Sequence, residues 1–144
     1  MNTNLPPHIQ ILAWAPCPRP DFSARFDCIS RTYKYYFPQG DLDLEKLNQA
    51  GQYLLGTHDY RNFCKMDVAN GVVSYIRQIT SVKANKLQNH AESCNPFDMC
   101  CLTIVGRAFL WHQIRCIVSV LFRVASGTFY YLQFFKYLVR YLIL

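Results

Sequence analysis

The chain has 144 residues, of which 51% are hydrophobic and 15% aromatic, so its length suits one domain and its composition suits a packed core. This composition excludes a disordered acidic tail, a collagen-like repeat and a glycine–serine linker. Fifteen lysines and arginines against nine acidic residues give a formal net charge of +6, which favours an anionic partner.

Cysteine and histidine usage predicts neither a disulfide framework nor a metal site. The seven cysteines stand at positions 17, 28, 64, 94, 100, 101 and 116, an odd number without a C-x-x-C pair. The four histidines are scattered and lack the helical spacing of a metal-binding pair. The first residues also lack the basic start and the apolar run of a targeting peptide. We therefore expect reduced cysteines in an intracellular protein, without a metal ion.

Two β-strands are predicted near the start of the chain. Residues 9–15 are rich in β-forming side chains and end at Pro16, where a proline-rich connector begins. Residues 22–37 alternate in character, so that Tyr33 and Tyr35 fall on one face of a long strand, with a break near Ser30 as the alternative.

A helix and a polar loop are predicted next. Apolar side chains at helical spacing over residues 44–54 follow Asp43, which is a typical N-cap. Gly56 is the expected end of this helix. Residues 57–71 are polar and without periodicity, which predicts an irregular loop.

Two further strands and a second helix complete the predicted order. Residues 72–82 and 97–105 have the composition of strands, and residues 110–125 carry an apolar face at steps of three and four. A separate polar stripe on that helix consists of His112, Arg115, Ser119 and Arg123. The order strand, strand, helix, loop, strand, strand, helix predicts an α+β fold, a largely antiparallel sheet with helices packed on one face.

Residues 126–144 differ in composition from the rest of the chain. Thirteen of these nineteen residues are apolar, seven of them aromatic, and Lys136 and Arg140 are the only charges. Charges in mid-segment argue against a membrane span, which needs about 20 predominantly apolar residues. An amphipathic surface helix and an alternative 3′ exon foreign to the fold stay open as interpretations.

Three stretches of the chain combine basic, aromatic and polar side chains. Residues 22–35 read either as an ordinary amphipathic strand or as a strand whose cations meet phosphates while an aromatic ring stacks on a base. Residues 55–63 form a polar stretch after a helix, and residues 106–115 open a helix that has a basic stripe. Each signal is weak alone, but their order along the chain is specific.

Five ordered blocks resemble the pseudouridine synthase I (TruA-type) family. They are F-x-A-R-F at 22–26, R-x-Y-x-Y at 31–35, G-T-H-D-Y at 56–60, C-K-M-D-V-A-N-G at 64–71 and A-F-L-W-H-Q-I-R at 108–115. The resemblance extends from residue 5 to residue 125 and so covers most of the chain.

The resemblance implies an enzyme that converts uridine to pseudouridine in the anticodon stem-loop of tRNA, without a cofactor or metal. In this family the uridine is flipped out of the RNA, and an aspartate acts as the nucleophile. Tyr33 matches the family's active-site tyrosine, which packs against the base, and Arg115 matches the arginine that pairs with the catalytic aspartate. Contacts with the tRNA backbone are expected from Arg25, Arg31, His58, Arg61 and His112.

The chain departs from the family pattern at the catalytic aspartate. The family motif G-R-T-D-x-G-V-x-A does not occur in these 144 residues, and none of the seven aspartates has its context. We therefore expect residues 1–21 to be a linking strand and connector from an N-terminal half, residues 22–125 to be the C-terminal half of the catalytic domain, and residues 126–144 to be a divergent aromatic tail. On this interpretation the chain alone lacks isomerase activity.

Two functions outside catalysis stay open. The net charge of +6 and the strand aromatics suit a non-catalytic tRNA- or RNA-binding module. The apolar last segment suits a membrane-associated interaction protein. For the full-length enzyme the resemblance is compatible with a homodimer, located in the nucleus, the cytoplasm or both.

Overall fold

A computed structural model of the chain describes residues 2–65, 71–72, 74–87 and 97–129. These residues form one antiparallel sheet of four strands, in the order β1-β4-β3-β2, and two helices. The strands are β1 (Arg31–Pro38), β2 (Gly56–Asp59), β3 (Ile76–Lys86) and β4 (Met99–Gly106), and the helices are α1 (Leu44–Gln52) and α2 (Gln113–Ala125). The predicted α+β fold with an antiparallel sheet is confirmed.

Both helices share one hydrophobic core with the sheet. On β4, Leu102 and Ile104 are completely buried, as the period of two in a strand dictates when one sheet face is covered. Ile117 and Leu121, one helical turn apart on α2, are buried in the same core. The apolar face that the sequence predicts for the second helix is therefore the face that holds it to the sheet.

Helix α1 begins where the sequence places it. The carboxylate of Asp43 accepts hydrogen bonds from the backbone N–H groups of Glu45 and Lys46, at 3.0 Å each. These bonds satisfy two donors that the first turn of a helix leaves without an internal partner, and they hold the pKa of Asp43 below its ordinary value. The helix ends at Gln52, two residues before the predicted end.

Of the two strands predicted in the first part of the chain, the first is wrong and the second is too long. Residues 9–15 form neither strand nor helix, since no strand of the described part of the chain pairs with them. Residues 22–37 contribute only β1, because a turn interrupts the segment before it. In that turn the backbone N–H of Ser23 donates to Asp27 Oδ2 at 2.7 Å, and the N–H of Asp27 donates to the Ser23 carbonyl at 2.8 Å.

The stretch predicted to be an irregular loop contains regular structure. Residues 56–59 form β2, which pairs with the start of β3, and Arg61–Phe63 form a 3-10 turn. A strand of four residues with a histidine and an aspartate lacks the hydrophobic alternation that would reveal it in sequence. β3 begins four residues later than predicted and extends four residues further, and β4 is displaced by two residues at its start.

Most of the predicted aromatic tail, residues 130–144, lies outside the described residues, as do residues 66–70 of the fourth sequence block. In the described parts of the chain, no helix is long and apolar enough to cross a membrane. Those parts also contain no group of three or more histidine, cysteine, aspartate or glutamate side chains that could hold a metal ion.

Candidate active site

The loop between β4 and α2 brings Phe109 against Tyr33 of β1. The two rings meet edge to face, with centroids 5.2 Å apart and planes at 83°. Gly106 at the end of β4 makes this approach possible, because a β-carbon there would lie 2.9 Å from Phe109 Cζ. Tyr33 is 43% exposed, so part of the residue stays available to a ligand.

The same loop ends in a strained residue. His112 precedes α2 with φ 59° and ψ 11°, the left-handed conformation that non-glycine residues seldom adopt. Its carbonyl accepts the N–H of Cys116 at 3.1 Å, so it forms the first backbone bond of the helix. The predicted helix over residues 110–125 therefore begins at Gln113 instead, because the left-handed residue cannot belong to a right-handed helix.

One cleft lies between the middle of β1 and the start of α2. It has a volume of about 460 Å³, and Tyr33 and Arg115, the two predicted catalytic residues, both border it. We name it the Tyr33–Arg115 cleft. Its walls are formed by the residues Tyr33, Lys34, Tyr35, Phe109, Leu110, His112, Gln113, Ile114 and Arg115. Aromatic and aliphatic walls with a few polar groups are typical of a pocket that receives a planar base.

A second cleft, also of about 460 Å³, lies along the polar stripe of α2. The stripe predicted from the sequence, His112, Arg115, Ser119 and Arg123, borders it together with Lys65, Cys116, Val120 and Phe129. We name it the basic cleft. None of the five ion pairs found among the described residues involves Lys65, Arg115 or Arg123, so their charges are not neutralised there. His112 and Arg115 border both clefts and therefore join them.

Arg25 and Arg31, two of the predicted RNA contacts, hold the chain together at the start of β1. The guanidinium of Arg31 donates to the carbonyl of Arg107 and to that of Arg25, at 2.7 Å each. Arg25 places its own guanidinium over the ring of Phe26, 5.2 Å from the centroid. Neither arginine borders the two clefts, and two of the five donors of Arg31 are already engaged.

His58 of β2 and Arg61 of the following 3-10 turn, two further predicted RNA contacts, have partners close by in the sequence. His58 Nε2 lies 2.7 Å from the carbonyl oxygen of Leu55. Arg61 Nε and Nη2 donate to Asp59 Oδ2 at 3.0 and 2.6 Å, and this side-chain contact is the main reason that the pKa of Asp59 is lowered. Of the five residues predicted to contact RNA, His112 is the one that borders the Tyr33–Arg115 cleft and the basic cleft.

Three residues of the site were not singled out from the sequence. Phe109 and Gln113 lie in the fifth sequence block, where an aromatic residue and an amide two positions before the matched arginine were available signals. Lys65 lies far from α2 in the sequence, and the hydrogen bond from its N–H to the Trp111 carbonyl at 3.0 Å brings it there. Sequence pattern alone gives no sign of that contact.

Comparison with known proteins identifies the family of the chain. A family model described as tRNA pseudouridine synthase matches residues 50–133. The human tRNA pseudouridine(38/39) synthase is 48% identical over 130 residues, which cover 88% of this chain and 27% of that protein. A probable tRNA pseudouridine synthase of Caenorhabditis elegans is 44% identical over 123 residues, 84% of this chain and 30% of that protein.

The similarity extends beyond animals. The tRNA pseudouridine synthase A of Methanosarcina barkeri is 33% identical over 127 residues, covering 88% of this chain and 42% of the archaeal protein. The chain thus spans between about a quarter and two-fifths of the length of these relatives. The five sequence blocks, the antiparallel α+β fold and the family match agree, and the chain belongs to the pseudouridine synthase I (TruA-type) family of tRNA pseudouridine synthases, with marked similarity to its eukaryotic 38/39 members.

Proposed function

We propose that this chain forms part of a tRNA pseudouridine synthase, which isomerises uridine to pseudouridine in the anticodon stem-loop. The observation that carries the proposal is that Tyr33 and Arg115, which come from opposite ends of the described domain, border one cleft. The family match and the identity to tRNA pseudouridine synthases support the same activity.

In the proposed reaction the target uridine leaves the RNA stack and enters the Tyr33–Arg115 cleft. The ring of Tyr33 packs against the base, and the edge-to-face contact with Phe109 holds that ring in place. An aspartate attacks C1′ of the ribose as the N1–C1′ bond breaks, so the sugar becomes an ester of the aspartate and the uracil is released. The uracil rotates, its carbon 5 bonds to C1′ as the aspartate leaves, and carbon 5 loses its proton while N1 gains one. Arg115 pairs with this aspartate, and the pair keeps the carboxylate ionised and oriented.

The nucleophilic aspartate is proposed to come from a polypeptide segment outside these 144 residues. None of the seven aspartates lies in the family's motif, and Asp59, which follows the histidine of the third block, is already paired with Arg61. Arg115 has no ion-pair partner among the described residues, so its guanidinium is available to a carboxylate from such a segment. We further propose a homodimeric enzyme that acts in the nucleus, the cytoplasm or both.

Substitution of Arg115 tests the proposal in the full-length product of the gene. We expect Arg115→Ala to lower turnover by a factor of at least about 100, because the nucleophile loses its charged partner, while tRNA affinity changes by less than about fivefold. Pseudouridine formation is measured on an anticodon stem-loop by single-turnover kinetics. Arg123→Ala, eight residues along the same helix, is the matched control for loss of one positive charge. Normal turnover by Arg115→Ala would refute the assigned role.

A second candidate function is non-catalytic RNA binding, and the basic cleft favours it. Arg115 and Arg123 are separated by about 12 Å along α2, which aligns their charges with Lys65 beside them. Binding to phosphates releases counterions, so affinity for tRNA must fall steeply between low and moderate salt. Salt-dependent binding without pseudouridine formation would favour this function over catalysis, and salt-independent binding would exclude it.

A further inference from the structure

The two helices cover one face of the sheet, and the opposite face is open in the part of the chain that the structure describes. Leu102 and Ile104 of β4 are buried in the core with the helices, so Thr103 between them points to the other side. The register pairs Thr103 with Lys34 of β1 and with Lys83 of β3, and paired residues share a face. We name this surface the open face, with the row Lys34, Thr103 and Lys83 at its centre.

The open face carries positive charge. Lys34 and Lys83 lie on either side of Thr103, so their Cα atoms are about 10 Å apart, which is two strand spacings. Both lysines are exposed, and neither takes part in the five ion pairs found among the described residues. Every other residue that the register places on this side of β1, β3 and β4 is uncharged. At the end of β2, the carboxylate of Asp59 is neutralised by Arg61.

A cleft of about 340 Å³ lies at one end of the open face. Thr57 of β2 and Gln78 of β3 are paired and exposed, and Gln78 precedes the buried Ile79, so it points away from the core. Arg107, the exposed residue that follows β4, borders the cleft with them, and its guanidinium belongs to none of the same five ion pairs. A hydroxyl, an amide and a guanidinium are hydrogen-bond donors typical of contacts with RNA phosphates.

The charges of the open face favour a nucleic acid over a covering protein segment. A protein surface laid on this face would remove the ammonium groups of Lys34 and Lys83 from water, which costs free energy unless each meets a counter-charge. A sugar–phosphate backbone supplies counter-charges at regular intervals. Lys83 and Arg107 are separated by about 13 Å along the sheet, a length over which an RNA backbone presents several phosphates.

We propose that the open face binds the sugar–phosphate backbone of tRNA outside the anticodon stem-loop, with Lys83 and Arg107 as its phosphate contacts. This inference rests on the proposed function, since it requires the target loop to occupy the Tyr33–Arg115 cleft. That cleft is bordered by the start of α2, which packs on the other face of the sheet. An RNA that reaches both surfaces must therefore extend round an edge of the sheet, which the body of a whole tRNA can do and the target loop cannot.

The test compares whole tRNA with the isolated anticodon stem-loop, using the full-length gene product. In the double variant Lys83→Gln, Arg107→Gln, we expect the slope of log affinity for whole tRNA against log salt to fall by about 1.8, or about 0.9 for each lost contact with a duplex. Affinity for whole tRNA at moderate salt should fall about tenfold. Binding and pseudouridine formation on the stem-loop should change by less than about twofold. Lys34 borders the Tyr33–Arg115 cleft, so it is left intact.

Control variants separate this contact from a general loss of charge. The double variant Arg19→Gln, Lys46→Gln removes the same two charges from residues already paired with aspartates, so it should leave the slope for whole tRNA unchanged. Lys83→Arg keeps the charge and should keep the parent slope.

A second measurement needs no substitution. In the parent protein, whole tRNA should slow the acetylation of Lys83 by acetic anhydride severalfold, as read by mass spectrometry, and the stem-loop should not. Lys83 that reacts equally fast with and without whole tRNA would refute the contact, even if the double variant fails to fold.

The possible results separate this inference from the proposed function. A parent slope for whole tRNA in the Lys83→Gln, Arg107→Gln variant would refute the inference and leave the proposed activity untouched. Equal losses for whole tRNA and stem-loop would also refute it, because the contacts would then lie inside the stem-loop. A lower free energy of unfolding with an unchanged slope would assign the open face to another polypeptide segment instead. If the parent protein binds no tRNA, the proposed function and the inference fail together.

Discussion

Gly106 lies so close to Gln78 that a β-carbon at position 106 would be 2.7 Å from the Gln78 carbonyl oxygen. On its other side the same β-carbon would be 2.9 Å from Phe109 Cζ. Gly106 ends the central strand β4, and Gln78 belongs to the neighbouring strand β3. Gly106 therefore fixes the position at which the loop between β4 and α2 leaves the sheet.

Gly106→Ala is expected to destabilise the fold and displace Phe109. The new β-carbon would meet a backbone carbonyl on one side and a packed ring on the other, and moving either group costs free energy. We therefore expect a loss of about 1–3 kcal/mol in the free energy of unfolding. Urea denaturation measures this loss. Gly40→Ala, at a position with no atom within 4 Å of the new β-carbon, is the comparison, and its cost of about 1–2 kcal/mol reflects only the left-handed backbone. A Gly106→Ala protein as stable as the parent would contradict the packing described here.

His112→Gly is expected to separate stability from RNA binding. Glycine adopts the left-handed conformation of residue 112 without strain, so the free energy of unfolding should be unchanged or rise by up to about 1 kcal/mol. RNA affinity should fall, because the side chain borders both clefts. His112→Ala removes the same side chain but keeps the strain, so it should show the affinity loss alone. Equal stability losses in both variants would mean that the backbone at this position stores no strain.

The Asp59–Arg61 pair predicts a stability difference that depends on pH. The folded pKa of Asp59 lies below its ordinary value, mainly because of the side-chain hydrogen bonds from Arg61. The pair therefore adds stability above about pH 4, and this contribution is lost as the pH falls through the folded pKa. Both side chains are partly exposed, so we expect less than about 1 kcal/mol at pH 6 and a smaller contribution as the pH falls below the ordinary pKa of the carboxyl group.

A double-mutant cycle of Asp59→Asn and Arg61→Met measures the coupling energy as a function of pH. The double variant lacks both charges. In the cycle, the effects of each single substitution that do not involve the partner residue cancel, which leaves the coupling energy. A coupling energy that does not fall at any pH down to the acid unfolding of the protein would contradict a contribution from the carboxylate charge.

Arg123→Ala is expected to reduce the salt dependence of RNA binding. If Arg123 contacts one phosphate in the basic cleft, its loss should lower the slope of log affinity against log salt by about 0.7, the value for one contact with a single strand. Arg19→Ala is the control, because Arg19 is paired with Asp21 and Asp27. An unchanged slope for Arg123→Ala would place the RNA outside the basic cleft.

The elements that the sequence predicts well are those with a strong local signal. Helix α1 has an N-cap whose side-chain chemistry is local, and α2 has an apolar face that repeats over several turns. The strand predicted over residues 9–15 fails because strand formation depends on a partner, and β2 is missed because its four residues are polar. Whether residues 9–15 or residues 56–59 form a strand depends on pairing with residues distant in the sequence. The local sequence pattern does not show such pairing.

The candidate site could be predicted only in part, because the sequence does not show which residues contact each other in the fold. Tyr33 and Arg115 come from the matched motifs, and the structure places both at one cleft. Arg31 and Arg61 are basic residues in matched blocks, but they bind a backbone carbonyl and a carboxylate within the fold. A cation's charge is visible in the sequence, whereas its partner is visible only in three dimensions.

Strand β4 is the last strand in the sequence, yet it lies inside the sheet, between β1 and β3. As a ribosome synthesises the chain, β1 therefore has no hydrogen-bonding neighbour in this sheet until residue 106 has left the exit tunnel. Until then its row of exposed tyrosines and unpaired backbone groups is open to association with other nascent chains. Among the described strands, the topology thus leaves β1, the strand that carries Tyr33, without its partner for the longest stretch of translation.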